Sequence, residues 1–190
     1  MTDAVRRRVR DPQARRRDIV AAAAELIVEV GVDAVTHRMI AARAGVPLGA
    51  TTQYFATLDE LRGEALQSLA ADVDARIDGI RTALAERGAT PAVLAELLVQ
   101  GLADARAVDA DRAVVTAAVY DPELRSLARR GSERLADALA ERYGRSRAVA
   151  AAVFIDGILW HACISDDPLT TELIESALAG ILGAPTTTSD

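Results

Sequence analysis

Apolar residues recur at three- and four-residue spacing along almost the whole chain, and each run is bounded by residues that start or stop helices. Ile19, Ala22, Ala23, Leu26, Ile27 and Val30 form the first such stripe. Asp11-Pro12 opens it, with Asp11 as N-cap and Pro12 in the first turn, and Gly31 stops it. The period-two alternation of a half-buried strand is almost missing. This pattern predicts an all-α fold of about nine helices. It has an N-terminal three-helix unit over residues 1–57, a helical body over 58–183 and a disordered tail over 184–190.

The same punctuation predicts each later helix. Thr36 caps a second helix reaching about Ala44, Gly45 turns the chain, and a third runs from about Leu48 to Phe55. Thr57 and Glu60 make a capping box for a fourth. Leu58, Leu61, Ala65, Leu69, Val73, Ile77, Ile80 and Leu84 share one face of it, and Gly79 can kink or divide it. Further helices are expected from Thr90-Pro91 to about Ala105, from about Asp109 to Tyr120, and from Asp121-Pro122 to Tyr143. Ser146 is expected to cap the next, reaching about Ile164, and the last follows Asp167-Pro168 and ends at Gly183. The apolar run Ala148–Ile164 is short for a membrane span and is interrupted by Asp156, so it is expected to be buried in a bundle or dimer, with no membrane partner.

Composition narrows the chemistry. Aromatics are only 3% of the chain, so Ala, Leu, Val and Ile must build the core. A lone Cys163 excludes an internal disulfide and a cysteine-based zinc site, and fits a reducing cytoplasm. Met1–Arg10 is polar and arginine-rich, unlike a secretory leader. His37 and His161 are the only histidines, and no glycine loop of the phosphate-cradling type is present. No metal site, cofactor or catalytic constellation is therefore expected. The carboxylates, Asp166-Asp167 included, read as solvated faces and caps.

Charge is distributed unevenly. Nine arginines stand against six acids up to Thr57, a balance of +3, in a chain whose net charge is −6; the remainder carries −9. A basic head on an acidic body suits a polyanionic partner. The arginines from Arg6 to Arg17 can add phosphate contacts, or Arg6–Arg10 can be merely a solvated tail.

The informative stretch is Thr36–Leu61, THRMIAARAGVPLGATTQYFATLDEL. Two short helices are joined at Ala44-Gly45-Val46, where glycine supplies a left-handed backbone. Small Ala41 and Ala44 let the helices cross closely, and Ile40 and Val46 seal the inside. Leu48, Gly49, Thr52 and Gln53 are left facing outward on the second of them. So small a surface can approach base edges without a clash, while Thr and Gln supply donors and acceptors. Such geometry is that of a recognition helix entering a major groove. Tyr54-Phe55 can equally be core aromatics, Phe55 above all.

These residues carry a resemblance to the TetR family of bacterial regulators. The matching pattern is an amphipathic first helix ending in Gly31, then Val35-Thr36, Arg38, Ile40-Ala41, Ala44-Gly45-Val46, Gly49, Tyr54-Phe55 and Asp59-Glu60-Leu61. It covers about a third of the chain; the remainder resembles the family only in length and helical content. The absence of lysine and asparagine, whose codons are AT-rich, fits a GC-rich bacterial genome.

The resemblance implies a cytoplasmic, homodimeric, ligand-responsive transcriptional regulator that binds double-stranded operator DNA, with repression favoured. Thr36 and Arg38 would touch phosphate or a base edge; Leu48, Gly49, Ala50, Thr52 and Gln53 would lie along the groove; Tyr54 would contact backbone or base. Thr57 would help the fourth helix's N-terminus hold a phosphate. Three positions depart from the family: Thr52 replaces a common Tyr, Leu58 a common Lys and Pro47 a usual Ser, which weakens two phosphate contacts. The last two helices would pair with their twins, with Val149, Val153, Ile174, Leu178 and Ile181 at the dimer interface. A small-molecule effector would lie among the middle helices, with Gln100, Tyr120, Phe154, Trp160 and His161 as candidate contacts. An enzyme and a helical interaction module that has lost DNA binding are the rival classes.

Overall fold

The computed structural model describes residues 11–183; Arg6, Arg7, Arg8, Arg10 and the tail expected at 184–190 lie outside them. Every described element is an α-helix: α1 Pro12–Val30, α2 His37–Ala44, α3 Leu48–Tyr54, α4 Leu58–Arg87 and α5 Pro91–Leu102. They are followed by α6 Ala105–Ala118, α7 Pro122–Tyr143, α8 Arg145–Ile164 and α9 Thr171–Leu182. Packing divides the chain into two compact units, Met1–Leu69 and Ala70–Asp190, so the division falls inside α4 and not ahead of it.

In the first unit the predicted stripe of α1 is the core. Ile19, Ala22, Ala23, Leu26 and Ile27 are buried, as are Val35, Ile40, Ala41 and Phe55. Leu61, Ala65, Leu66 and Leu69 of α4 are buried as well, which is why the unit extends past Thr57. Each large side chain taken from water contributes roughly 1.5–3 kcal/mol. Local signals set the ends. Asp11 accepts from the Gln13 N–H at 2.9 Å, Thr36 from the Met39 N–H at 3.3 Å, and Thr57 from the Glu60 N–H at 3.0 Å. The Glu60 carboxylate accepts from the Ala56 N–H at 2.7 Å, one residue upstream of the cap. Each such cap is worth about 1 kcal/mol.

The second unit is built around α8. Ala148, Ala151, Ala152, Ile155 and Ile158 form its buried side, and α7 meets it with Leu135, Ala136, Leu139 and Tyr143. Leu94, Ala95 and Leu98 of α5 and Ile174, Leu178 and Leu182 of α9 close the same core. The Tyr143 hydroxyl donates to the Ala89 carbonyl at 2.9 Å, giving that buried aromatic its polar partner. α4 is not divided at Gly79; it runs unbroken to Arg87.

Four helix ends differ from expectation. α5 stops at Leu102, and Asp104 caps α6 through the Ala107 N–H at 3.1 Å, so α6 starts at Ala105 and not near Asp109. α8 begins at Arg145 directly after Gly144, without a side-chain cap, and Ser146 lies inside the helix. α9 is capped by Thr170 through the Leu173 N–H at 3.3 Å, while Asp167-Pro168 sits in the preceding loop. The complete α8, 20 residues with a mean hydropathy of 1.5 over its best window, is long and apolar enough by composition to cross a membrane. Here its buried side is core.

Candidate nucleic-acid interface and ligand cavity

The turn between α2 and α3 is closed by backbone geometry. Gly45 is left-handed at φ 64°; its N–H reaches the Ala42 carbonyl at 3.3 Å and the Val46 N–H reaches Ala41 at 3.0 Å, the paired bonds of a Schellman motif. Pro47 then leads into α3 without a side-chain cap, and its carbonyl accepts from the Ala50 N–H at 2.8 Å. Two side chains turn inward: Thr51 is fully buried with its hydroxyl on the Leu48 carbonyl at 2.8 Å, and Phe55 is buried under the Arg16 guanidinium, 4.9 Å from the ring centroid.

What remains outside is Leu48, Gly49, Thr52 and Gln53, all exposed, with Tyr54 half-buried. Thr36, Arg38 and Thr57 are exposed too. Ala50 is not among them. At 8% exposure it packs into the head beside the fully buried Thr51. It has almost no surface to offer a groove.

Electrostatics sort the head's arginines. Arg43 forms a two-pronged pair with Glu29, at 2.7 and 2.6 Å, and reaches Glu25 at 3.2 Å, tying α2 to α1. Those bonds, Glu29's first, hold its guanidinium even more firmly protonated than usual. Arg16 pairs with Glu64. Arg62 bonds Asp59 at 3.2 Å and the carbonyls of Asp33 and Val35 at 2.9 and 2.8 Å, stapling α4 to the segment that leads into α2. Arg38, by contrast, is exposed and meets no carboxylate among the described residues. The basic excess read from the sequence thus reduces to fewer free charges, with Arg38 closest in sequence to α3. Arg62 and the Arg43 clamp were not anticipated; the Glu25–Glu29 repeat four residues apart on α1 is the signal that could have suggested the latter.

The second unit holds a cavity of about 410 Å³ between α6, α7 and α8. Val108 and Val115 of α6 and Leu159 and Trp160 of α8 make its apolar wall. Asp111, Ser132 and Asp156 bring polar atoms to it. Burial pushes the Asp111 carboxyl above its ordinary range, and its ion pair with Arg76 of α4 pulls it back in part. Crowding does the same to Asp156, offset only by the Ser132 hydroxyl, which donates to it at 3.3 Å. Burial also raises the Cys163 thiol, whose sulfur contacts the Leu159 carbonyl at 3.2 Å.

Of the five candidate effector contacts, the structure brings only Trp160 to this cavity. Gln100 is exposed on α5 and bonded to Glu96 at 3.3 Å. Tyr120 is 86% exposed at the end of α6, and Phe154 packs against the main core. His161 is half-buried outside the cavity lining. Of the proposed interface residues, Val149 and Val153 are exposed, but Ile174 and Leu178 are fully buried in the protomer's own core and Ile181 packs against it. The outward residue of α9 is Leu173, one position away. Val149, Val153, Trp160 and Ile164 recur at helical spacing and leave one exposed apolar stripe on α8. Among the described residues no three His, Cys, Asp or Glu side chains group as a metal site would require.

Known proteins share these features. The signature of bacterial regulatory proteins, tetR family, matches residues 19–65, which run from the core of α1 to the first turns of α4. A TetR-family member from Streptomyces coelicolor A3 is 32% identical, over 90% of this chain and 99% of that one, with a TM-score of 0.74. The multidrug binding protein EbrR complexed with imidazole is 32% identical, over 91% and 97%, with a TM-score of 0.75, and its complexes with proflavin, malachite green and ethidium match as well. The HTH-type transcriptional regulator BetI of Cronobacter sakazakii is 28% identical over 187 residues, 87% of this chain and 92% of that protein.

Proposed function

Because this chain belongs to the TetR family of DNA-binding bacterial transcriptional regulators, we propose that it is a homodimeric cytoplasmic repressor, released from a palindromic operator by a small molecule. The observation that carries the reading is the exposed face of α3 (Leu48, Gly49, Thr52, Gln53) beside the unpaired Arg38, on a head whose α2–α3 turn is closed by backbone hydrogen bonds. A small, polar-tipped helix face can enter a major groove, where Thr and Gln read base edges and Arg38 and Thr36 hold phosphates. The bonded turn keeps that face from adjusting at a cost to affinity.

The exposed stripe of α8, with Leu173 of α9, supports a dimer: an apolar face of this extent is more stable covered. Two-fold pairing would set two α3 helices about one turn of DNA apart, roughly 34–36 Å. A cavity of about 410 Å³ is within the size range of small-molecule sites, and the multidrug-binding relative supports a ligand there. α4 belongs by its first turns to the head and carries Arg76 farther on. Its displacement is how a ligand would alter the fit to DNA. The effect can be no larger than the ligand's preference for the non-binding conformation.

The test is operator release. Fluorescence anisotropy on DNA from upstream of the chain's own gene, repeated with a panel of small molecules, should find a compound that lowers DNA affinity at least tenfold. Binding of the same compound should be weakened equally by DNA, as linkage requires. A protein that binds DNA but that no cavity-filling compound releases would contradict the ligand-released reading.

A further inference from the structure

The exposed face of α3 carries fewer hydrogen-bond donors than its residue types suggest. A hydroxyl has one proton to donate. That of Thr52 is spent on the Gly49 carbonyl at 3.1 Å, as that of buried Thr51 is spent on the Leu48 carbonyl. Thr52 is left with its methyl group and its oxygen lone pairs. Leu48, one turn back on the same face and 49% exposed, offers hydrocarbon alone. Gly49 has no side chain and open space where a Cβ would stand, so the helix backbone can come close to what it meets. The Gln53 amide makes no hydrogen bond among the described residues and keeps both donor and acceptor. Only the half-buried Tyr54 adds a further hydroxyl. α3, LGATTQY, holds no cation and no carboxylate; Arg38 belongs to α2.

Each base asks for different chemistry in the major groove. Guanine is read by the paired N–H donors of Arg or by Lys, and cytosine by a carboxylate that accepts from its amino group. α3 supplies neither. Adenine is read by the two-pronged amide of Gln or Asn, and thymine by apolar contact with its 5-methyl group. α3 supplies both. We propose that the base pairs beneath α3 are A·T pairs, with Leu48 and the Thr52 methyl group against thymine 5-methyl groups and the Gln53 amide on an adenine. Thr52, a polar residue by type, acts here through its hydrocarbon. This names the class of half-site read by the DNA-binding face described above, and it rests on that face entering the groove.

The full-length protein is taken through rounds of selection on duplexes of random sequence. The selected duplex is then remade with single thymine-to-uracil replacements, which delete the 5-methyl group and leave every hydrogen-bonding atom of the base in place. Half-sites should converge on A·T pairs at the positions whose preference shifts in Leu48→Ala, Thr52→Ser or Gln53→Ala. Uracil at a contacted thymine should weaken binding about fourfold, the worth of one buried methyl group. Uracil in the flanks should change nothing. Thr52→Val, which keeps the methyl group and loses the hydroxyl, should retain the whole uracil penalty; Thr52→Ser, which does the reverse, should lose it at one position. The uracil scan on the unaltered protein needs no variant to fold, and thermal melts verify the variants. Guanine or cytosine fixed at those positions, or a penalty that follows the hydroxyl and not the methyl group, would overturn the assignment. Selected sites that depend on Leu48, Thr52 and Gln53 but tolerate uracil at every thymine would contradict the thymine reading and leave α3 in the groove. Binding indifferent to all three substitutions, or no sequence selected at all, would contradict that placement and the thymine reading with it.

Discussion

Arg76 of α4 and Asp111 of α6 form an ion pair in which the carboxylate also faces the ligand cavity. One acidic group is therefore shared between the wall that a ligand would touch and the long helix whose first turns belong to the head. Arg76→Ala leaves the mostly buried Asp111 without its partner and should cost about 1–2 kcal/mol at neutral pH, discounted for the partial exposure of the arginine. Adding Asp111→Asn should restore part of the loss. Burial already raises the Asp111 carboxyl, and Arg76 counteracts this. Stability linked to a raised carboxyl is present in acid and lost as pH rises through its folded pKa. Without Arg76 the pKa rises further, so the deficit of Arg76→Ala should shrink as pH falls from 7 towards 5. Urea melts of both proteins across that range test the sign; a deficit that grows in acid would contradict it.

Arg38 and Arg43, five residues apart on one helix, should separate cleanly in DNA binding. Arg38 is exposed and unpaired, whereas Arg43 is committed to Glu29 and Glu25. Arg38→Ala should weaken binding to all sequences and reduce the slope of log K against log salt by about 1 per chain. Arg43→Ala should leave that slope unchanged and instead lower the melting temperature of the head.

Gln53 and Ala50 should separate specificity from stability. Gln53→Ala should relax preference at particular base pairs, by about 1–3 kcal/mol if its contact is bidentate. Ala50→Leu, at a buried position, should destabilise the head by about 1–3 kcal/mol through overpacking. Binding selections on randomised operators, read beside thermal melts, distinguish the two.

Gly45 and Gly49 both have open space where a Cβ would stand, but only Gly45 has a left-handed backbone. Gly45→Ala should therefore cost about 1–2 kcal/mol from backbone strain alone. Gly49→Ala should instead stabilise the isolated fold by about 0.5–1 kcal/mol, since alanine is the better helix former. Its added methyl group lies on the exposed face of α3 and should weaken operator binding. Denaturation and anisotropy measurements on the pair should move in these different directions.

Where one short-range signal decides an element, the sequence was readable almost to the residue. Asp11-Pro12, Thr36, Gly45 and the Thr57–Glu60 box bound the elements of the head as their chemistry requires. Asp104 and Thr170 cap their helices just as well, but each had a competing Asp nearby, Asp109 and Asp167, and spacing alone did not decide between them. Burial was harder. Periodicity shows that α9 has an apolar stripe, but not whether its own core or a second chain covers it. Ile174 and Leu178 went to the core and Leu173 was left outside. Ala50 misled for a related reason, because a seven-residue helix is too short for a stripe to reveal which side is inward. The cavity was the least legible feature. Asp156 looked like an interruption in an apolar run, and its hydrogen-bond donor is Ser132, 24 residues away on α7.

The most direct test is hydroxyl-radical footprinting of the full-length protein on DNA upstream of its own gene, with affinity measured at several salt concentrations. Two protected patches related by a two-fold axis and centred about one helical turn apart are expected, with affinity falling steeply as salt rises and both patches fading together in Arg38→Ala. Protection of a single asymmetric patch, or affinity indifferent to salt, would contradict a dimer that presents two copies of α3 to one duplex.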